Sequence, residues 1–262
     1  MSVLVGVLYF RIVRDMVMDW YRDDNYSHGF IIPLISGYFV YERRRGLKSA
    51  GVKPWNAGIL VVVFGLLQLG IGYLGAELFT MRLSLIVVTA GLVLYLSGKE
   101  VFSSLLLPLL YLIFMIPLPY IIYDSIAFPL KLFVAKYSVM FLKSIGIAVW
   151  REGNIIMLPD IMLEVADACS GIRSLISLLA LSVAFAFFSR TSNAKKWLIV
   201  FSALPIAVVT NGLRVVVTGI VAQYWSGKAA EGFFHEFAGL LIFVLASALL
   251  LLIVIAMRKS ER

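Results

Sequence analysis

Thiol and imidazole groups are scarce in this sequence, and their scarcity limits the chemistry available to it. The 262 residues include one cysteine, Cys169, and two histidines, His28 and His235. A single cysteine excludes an intramolecular disulfide. The segment from His235 to Gly239 begins like the HExxH helix of zinc proteases, but glycine stands where the second histidine ligand is needed. We therefore predict no metal and no cofactor, with a zinc site shared by Cys169, His28 and His235 as an alternative that lacks any ligand-spacing signature.

Charged residues are also few, at 15% of the chain, whereas hydrophobic residues reach 61%. Soluble domains average about 25% charged and about 45–50% apolar residues. The charges lie between long apolar runs, and no polar stretch is long enough to form a separate soluble domain. We therefore predict a single membrane-embedded domain over residues 1–262. The first apolar run, Val3–Phe10, has no small-residue cleavage site after it, so we expect it to stay in the mature protein.

The net charge of +8 comes from basic residues that cluster at the ends of apolar runs. Examples are Arg43 to Arg45, Lys195 with Lys196, and Arg258 with Lys259. This placement is typical of cytoplasmic loops, which carry an excess of Lys and Arg. No aromatic-rich basic surface accompanies the charge, so nucleic acid is not an expected partner.

Apolar runs of membrane-spanning length recur along the chain and predict an all-α polytopic membrane protein. A helix that crosses a bilayer needs about 20 mostly apolar residues. We predict about eight transmembrane helices. They are Val3–Met18, Phe30–Tyr41, Ala57–Leu74, Phe79–Ser97, Val101–Ile122, Gly171–Phe188, Trp197–Val221 and Phe237–Met257.

The glycines at positions 70, 72 and 75 match a dinucleotide-binding fingerprint by letter. That fingerprint needs a preceding strand and a following helix. Here the glycines end a predicted transmembrane segment. We interpret them as small residues that let two helices approach closely.

The basic loops also predict which way the chain crosses the membrane. Residues 43–53 hold five Lys or Arg residues and are expected in the cytoplasm, as are the loop at residues 190–196 and the C-terminal tail. Counting spans from these loops puts both ends of Ser125–Val149 outside. We expect this segment to lie along the membrane interface, with a broken two-pass hairpin as the alternative.

A short segment before the cysteine has β-sheet character. Residues 151–165 hold two β-favouring runs on either side of Leu158-Pro159-Asp160. They predict a small extracytoplasmic β-hairpin with a Pro-Asp turn, which leads directly into the segment with Cys169.

The predicted topology brings Cys169, Arg214 and His235 to one membrane face. An ionisable residue inside a span is costly, and so suggests a functional site. Cys169 lies at a helix N-terminus, which favours the nucleophilic thiolate, and Arg173 follows one turn later. His235 is expected to take the thiol proton and later protonate the leaving amine. Arg214, steered by Asn211, is expected to stabilise the oxyanion.

Each of these residues also has a structural interpretation. A lone cysteine in a membrane protein is usually a small packing residue. An arginine near a helix end often extends to the headgroups or pairs with an acid. A lone histidine at the interface is usually structural. Their convergence on one face is what favours catalysis.

The segments around these residues resemble the exosortase/archaeosortase family of membrane-embedded cysteine transpeptidases. The resemblance rests on Glu164 to Leu175 (EVADACSGIRSL), on Asn211 to Arg214 (NGLR), and on His235 with Gly239. Similar segments upstream are Arg151 to Ile156 (REGNII) and Asn25 to Pro33 (NYSHGFIIP), and the latter contains His28. The resemblance covers nearly the whole chain.

This resemblance implies a protein-sorting enzyme of the cell membrane, and the span count from the basic loops puts its active site on the extracytoplasmic face. Its substrates would be secreted proteins with a C-terminal sorting signal. That signal is a short motif, often Pro-Glu-Pro in bacteria, followed by a transmembrane helix and a basic tail. Cleavage near the motif would form an acyl-enzyme on Cys169, with Arg214 and His235 as catalytic partners and His28 as a supporting residue. The new carboxyl end would then pass to a glycan or lipid acceptor.

Two other readings stay open at this point. One is an enzyme that only hydrolyses its substrate, with no transfer step. The other is a non-enzymatic transport or scaffold protein for exopolysaccharide export. Internal inverted repeats would favour a transporter, and the sequence shows none.

Overall fold

The computed structural model describes residues 2–159, 162–164, 172–224 and 233–260, and for residues 2, 3, 164, 172, 173 and 233–237 it describes the backbone alone. The described chain is mostly helical, with one small sheet. It divides into two compact units, the N-terminal unit Met1–Pro119 and the C-terminal unit Tyr120–Arg262. The expectation of a single domain over residues 1–262 stays a prediction.

The N-terminal unit is built from helices alone in the residues described. They are α1 (Ser2–Arg22), a 3-10 helix (Asp24–Phe30), α2 (Ile31–Glu42), α3 (Arg44–Ser49), α4 (Ala57–Leu74), α5 (Leu78–Tyr111) and a second 3-10 helix (Leu112–Met115).

Helix α4 has the bounds predicted from the sequence and packs antiparallel to the first part of α5. Three buried glycines, Gly58, Gly65 and Gly72, lie seven residues apart and so share one face of α4. An added Cβ would overlap the α5 backbone at Gly58, and would come within 2.7 Å of α5 at Gly65 and 2.9 Å at Gly72. Gly70 has nothing within 4 Å of this position. The packing interpretation therefore holds for Gly72 and is wrong for Gly70.

Helix α5 is broken at Gly98, between the predicted spans Phe79–Ser97 and Val101–Ile122. Gly98 has φ +84 and ψ −176, a conformation that is essentially restricted to glycine. The carbonyl oxygen of Lys53 occupies the place where a Cβ would be. The Lys53 amide also donates a hydrogen bond of 3.3 Å to the carbonyl of Ser97. The two predicted spans therefore meet at a single-residue break.

The second part of α5 ends earlier than the predicted span Val101–Ile122. Its last α-helical residue is Tyr111, and the 3-10 helix Leu112–Met115 follows. Pro117 and Pro119 lie close together and remove two backbone N–H donors, which disfavours a continued α-helix at this point.

Fewer helices have spanning character than the eight predicted. Among the described residues, five helical segments are long and apolar enough to cross a bilayer. They are Ala57–Leu74, Leu78–Met115, Tyr120–Ser144, Asn193–Tyr224 and Ala238–Lys259. Helix α1 is continuous, but its apolar sequence is interrupted by charged residues, namely Arg11, Arg14, Asp15 and Asp19. Helix α2 has only 12 residues. At 1.5 Å per residue, α2 is about 18 Å long, short of a hydrocarbon core of about 30 Å. Eight spans are therefore not confirmed.

The C-terminal unit combines four helices and a three-stranded sheet in the residues described. They are α6 (Tyr120–Ser144), β1 (Trp150–Glu152), β2 (Ile155–Met157), β3 (Met162–Glu164), α7 (Ile172–Phe188), α8 (Asn193–Tyr224) and α9 (Phe233–Lys259). Helix α6 runs unbroken through Pro129, so the alternative of a broken two-pass hairpin is wrong. Because α6 also has the length and composition of a span, its predicted interfacial position stays a prediction.

The sheet is antiparallel with strand order β1-β2-β3. The β-favouring runs predicted around Pro159 include the paired strands β2 and β3. Asp160 of the predicted Pro-Asp turn lies outside the described residues. The sequence analysis missed the first hairpin, in which Gly153 and Asn154 form a two-residue loop between β1 and β2. Gly153 has φ +61, as a type II′ turn requires at its first central position. The extracytoplasmic location of the sheet stays a prediction.

Helix α8 lies at the centre of the C-terminal unit, and α6, α7 and α9 pack against it. At one end of the unit, Arg258 Nη2 of α9 donates to the Phe188 carbonyl of α7 at 3.0 Å. At the same end, Lys195 Nζ of α8 lies 3.4 Å from the carbonyl oxygen of Met257. The basic residues that were predicted to share the cytoplasmic side therefore meet at one end of this unit. The first turns of α7 and α9 lie away from that end.

We predict that Gly98→Ala destabilises the protein much more than Gly70→Ala does. The alanine Cβ at position 98 would clash with Lys53 and force an unfavourable φ, at a cost of at least about 2 kcal/mol. Position 70 is helical and open, so alanine fits there. Thermal unfolding of both purified variants in the same detergent provides the measurement. Equal midpoints would show that the break at Gly98 is not needed for stability.

Candidate active site

Helix α8 holds Arg214 inside the C-terminal unit. This residue lies ten positions before the end of α8 at Tyr224, about 15 Å along the axis at 1.5 Å per residue. Only 8% of the residue is exposed. A buried guanidinium in an apolar segment loses its hydration, and such residues are kept mainly where they have a function.

The guanidinium of Arg214 packs against α9 at Gly239. A Cβ at position 239 would lie 3.4 Å from Nη2, 3.5 Å from Cζ and 3.6 Å from Nη1 of Arg214. The flat guanidinium therefore lies over a part of α9 that carries no side chain. His235 precedes Gly239 by four residues on the same helix, about one turn and 6 Å along the axis. The structure thus brings Arg214 close to the turn that contains His235.

Asn211 lies one turn before Arg214 on the buried side of α8. It is 4% exposed, and the neighbouring Thr210 is 2% exposed. Because residues three apart are neighbours on a helix, Asn211 lies next to Arg214 on this surface. The hydroxyl of Ser138 on α6 lies 3.4 Å from the Gly212 carbonyl oxygen, so α6 contacts α8 in this turn. The steering role predicted for Asn211 fits this placement and stays a prediction.

The other predicted partners are described less fully. Cys169 lies outside the described residues, and Arg173 is placed by its backbone in the first turn of α7. The backbone of His235 is placed in α9. The geometry of the thiol, the Arg173 guanidinium and the His235 imidazole is therefore a prediction.

His28 lies in the first 3-10 helix of the N-terminal unit. Its Nε2 atom is 3.1 Å from the carbonyl oxygen of Phe114, which links this helix to the segment after α5. Its supporting role in catalysis stays a prediction. Among the described residues, no group of three or more His, Cys, Asp or Glu residues is arranged to hold a metal ion. Because Cys169 and the His235 side chain lie outside that set, the zinc alternative is not tested.

A second buried arginine was not assigned a role in the sequence analysis. Arg82 is 3% exposed and forms an ion pair with Asp19 of α1. Nearby, the hydroxyls of Tyr9 and Ser84 lie 2.9 Å apart. A mainly apolar cavity of about 790 Å³ adjoins Arg82 between α1, α4 and α5. The sequence did contain a signal for this residue, because Arg82 is an ionisable residue inside the predicted span Phe79–Ser97.

The carboxylate of Glu77 caps the N-terminus of α5 beside this arginine. It accepts hydrogen bonds from the Phe79 amide at 3.0 Å and the Thr80 amide at 2.6 Å. Burial acts to raise the pKa of Glu77, but the hydrogen bonds from Thr80 and Phe79, together with the charge of Arg82, outweigh it and lower the pKa. Glu77 is therefore ionised at neutral pH and stabilises the start of α5.

The apolar helices and the buried guanidinium define a multi-pass membrane protein with a polar site inside a helical unit. Residues 20–252 match the family model described as transmembrane exosortase. The chain belongs to this family, whose members are generally cysteine transpeptidases that act in protein sorting. No curated protein and no solved structure matches the sequence.

We predict that Arg214→Lys inserts and folds but loses most of its activity. Lysine keeps the charge but has one donor nitrogen on a flexible stem, whereas arginine presents a rigid fork. Loss of one oxyanion donor lowers the rate of soluble enzymes about 10² to 10³-fold. The measurement is processing of a co-expressed substrate, normalised to membrane-inserted enzyme. Near-normal turnover in Arg214→Lys, with poor accumulation of Arg214→Ala, would mark Arg214 as structural.

A matched pair of glycine variants tests the same prediction without changing the arginine. Gly239→Leu places a side chain where the guanidinium lies and should lower processing at least about tenfold by displacing it. Gly212→Leu is the control, because a Cβ at position 212 meets nothing within 4 Å. Equal activity of the two variants would show that contact with Gly239 does not position Arg214.

Proposed function

We propose that this exosortase is a cysteine transpeptidase that cleaves the C-terminal sorting signal of secreted proteins. The signal would consist of a short motif, a transmembrane helix and a basic tail. Family membership supports the class of activity. The observation that carries the residue assignment is the buried Arg214 guanidinium, which packs on Gly239 one turn after His235.

The proposed reaction begins at Cys169. His235 takes the thiol proton, and the thiolate sulfur attacks the carbonyl carbon of the scissile peptide bond. The carbonyl oxygen becomes an oxyanion, which the guanidinium of Arg214 stabilises. When the carbon–nitrogen bond breaks, His235 donates the proton to the leaving amine. The product is a thioester between Cys169 and the new carboxyl end.

The second half of the reaction releases this thioester. A hydroxyl or amine of a cell-surface glycan or lipid attacks the carbonyl carbon, and His235 removes the proton from the attacking atom. The carbon–sulfur bond breaks, and Cys169 leaves as the thiolate. If water attacks instead, the same steps give simple hydrolysis. The identity of the nucleophile therefore decides between transfer and hydrolysis.

Burial of Arg214 suits the proposed oxyanion role. A charge acts more strongly where the effective dielectric constant is low and water is excluded. Packing against the bare backbone at Gly239 also limits movement of the guanidinium, so little reorganisation is needed as charge develops. Family membership does not favour the alternative of a transport or scaffold protein.

We predict that Cys169→Ala and Cys169→Ser abolish processing while the protein accumulates near normally. Neither replacement supplies a thiolate, and both are close to cysteine in volume. The measurement is a blot for the cleaved product after co-expression with a tagged secreted protein that ends in a transmembrane helix and basic residues. Processing by the alanine variant at a similar rate would show that Cys169 is not the nucleophile.

We further propose that the active site faces the extracytoplasmic side of the cell membrane, and single-cysteine labelling tests this. Replacing Cys169 with alanine leaves no cysteine in the chain. In that background, Trp150→Cys in the exposed part of β1 should react with an impermeant thiol reagent on intact cells. Lys196→Cys should react only after the cells are permeabilised. Labelling of Lys196→Cys in intact cells would contradict the proposed orientation.

A further inference from the structure

The small sheet of the C-terminal unit ends at a strand that leads towards the nucleophile. With strand order β1-β2-β3, the outer strands are β1 and β3. Strand β3, Met162–Glu164, ends five residues before Cys169. An edge strand presents backbone N–H and C=O groups that can pair with another chain.

The strand register shows which backbone groups point outward from β3. The two-residue loop at Gly153 and Asn154 closes on the pair Glu152 and Ile155, which such a loop joins by hydrogen bonds. Successive residues of a strand direct their backbone N–H and C=O groups to opposite sides. Ile155 directs these groups towards β1, so Ile156 directs its N–H and C=O towards β3. Its partner there is Leu163. The N–H and C=O groups of Met162 and Glu164 therefore point away from β2.

The two edges of the sheet differ in the number of outward-pointing backbone N–H and C=O groups. On β1, the same alternation leaves Arg151 as the one strand residue whose backbone groups point outward. On β3, two residues at spacing i and i+2 do so, which is the spacing at which an added strand forms its hydrogen bonds. Among the described residues, no backbone hydrogen bond reaches Met162 or Glu164 from the side opposite β2.

The inner face of the sheet packs into a hydrophobic cluster to which both α6 and the helix that carries Arg214 contribute. Ile156 of β2 is completely buried in a cluster with Val215 and Val216 of α8. Leu163 of β3 packs against the same cluster. These two valines directly follow Arg214 in the sequence. The sheet that β3 borders therefore shares one hydrophobic cluster with the part of α8 that follows the candidate oxyanion donor.

We propose that the outer edge of β3 binds the substrate segment around the scissile bond as an added β-strand. This inference rests on the proposed function, because the occupant is the extended peptide that the cysteine attacks. Strand addition to a sheet edge supplies main-chain hydrogen bonds that tolerate many sequences, with specificity left to the alternate side chains. The chain continues from this edge to Cys169, so the same strand would hold the peptide and lead to its nucleophile.

Photo-crosslinking at two matched positions tests where the peptide binds. Met162 and Trp150 have similar exposure, 69% and 66%, but lie on opposite edge strands. Each is replaced by photo-reactive benzoylphenylalanine in a Cys169→Ala enzyme. The probe is a co-expressed, epitope-tagged secreted protein that ends in a transmembrane helix and basic residues. We expect crosslinks from position 162, mapping just before the transmembrane helix of the probe, and few from position 150.

Proline variants test whether backbone hydrogen bonds provide the binding. Met162→Pro removes one outward N–H of β3, and Arg151→Pro removes the outward N–H of β1, so neither breaks a backbone hydrogen bond between strands. Arg151→Pro also removes the 2.8 Å bond from Arg151 Nη1 to the Gly153 carbonyl, so Arg151→Ala is included to measure that loss. Loss of one hydrogen bond should raise the KM of Met162→Pro about fivefold to tenfold with little change in kcat. Arg151→Pro should keep a KM near that of the wild type.

The possible results separate this inference from the proposed function. Normal Cys169-dependent processing, with equal KM values for the two proline variants and no crosslink from position 162, would overturn the inference alone. A crosslink from position 162 only to a second copy of the enzyme, or only within the same chain, would also overturn it. A position-162 crosslink to the probe without Cys169-dependent cleavage would support the binding edge and contradict the transpeptidase.

Discussion

A guanidinium buried in an apolar helical unit loses its hydration, so it requires polar partners and space between the helices. In the C-terminal unit, this requirement links the composition of two helices. Arg214 of α8 is nearly enclosed, and the group it packs on is the backbone of α9 at Gly239. The small residues Ala203 and Ala207 allow α8 to pack closely among its neighbours. Ile156 of the sheet shares a buried cluster with residues of α6 and of the same helix α8, so sheet and helices form one core.

Hydropathy predicts helices in this chain better than it predicts membrane spans. The bounds of α4 agree with the prediction at both ends, because its apolar run is uninterrupted and ends at glycine. Helices α1 and α2 form where spans were expected, but their charges and length differ from those of the five spanning segments. The break at Gly98 depends on Lys53, a residue far away in the sequence, so no local pattern could reveal its geometry.

In the site and the sheet too, local sequence patterns predicted some features, while contacts between distant residues determined others. Counting spans from the basic loops predicted Cys169, Arg214 and His235 at one membrane face. The structure places Arg214 against Gly239, one turn after His235, and the shared face with Cys169 stays a prediction. The pairing of Asp19 with Arg82 was not predictable, since it depends on how two helices are rotated about their axes. For the sheet, the β-favouring runs around Pro159 indicated strands that the structure pairs as β2 and β3. The Gly153-Asn154 pair, an equally well-known hairpin signal, was overlooked. Pairing order needs the register of all three strands, which alternation alone does not supply.

The glycines of α4 have a consequence for how the protein enters the membrane. Their contacts with α5 lie within one helical hairpin and become progressively more local towards the turn at Gly75. Such a hairpin can close from its turn while the ribosome is still synthesising later helices, because none of these contacts involves them. The pair would then leave the translocon already associated, with its glycine backbone shielded from lipid. Biogenesis would thus start from a preassembled helix pair onto which the later helices are added.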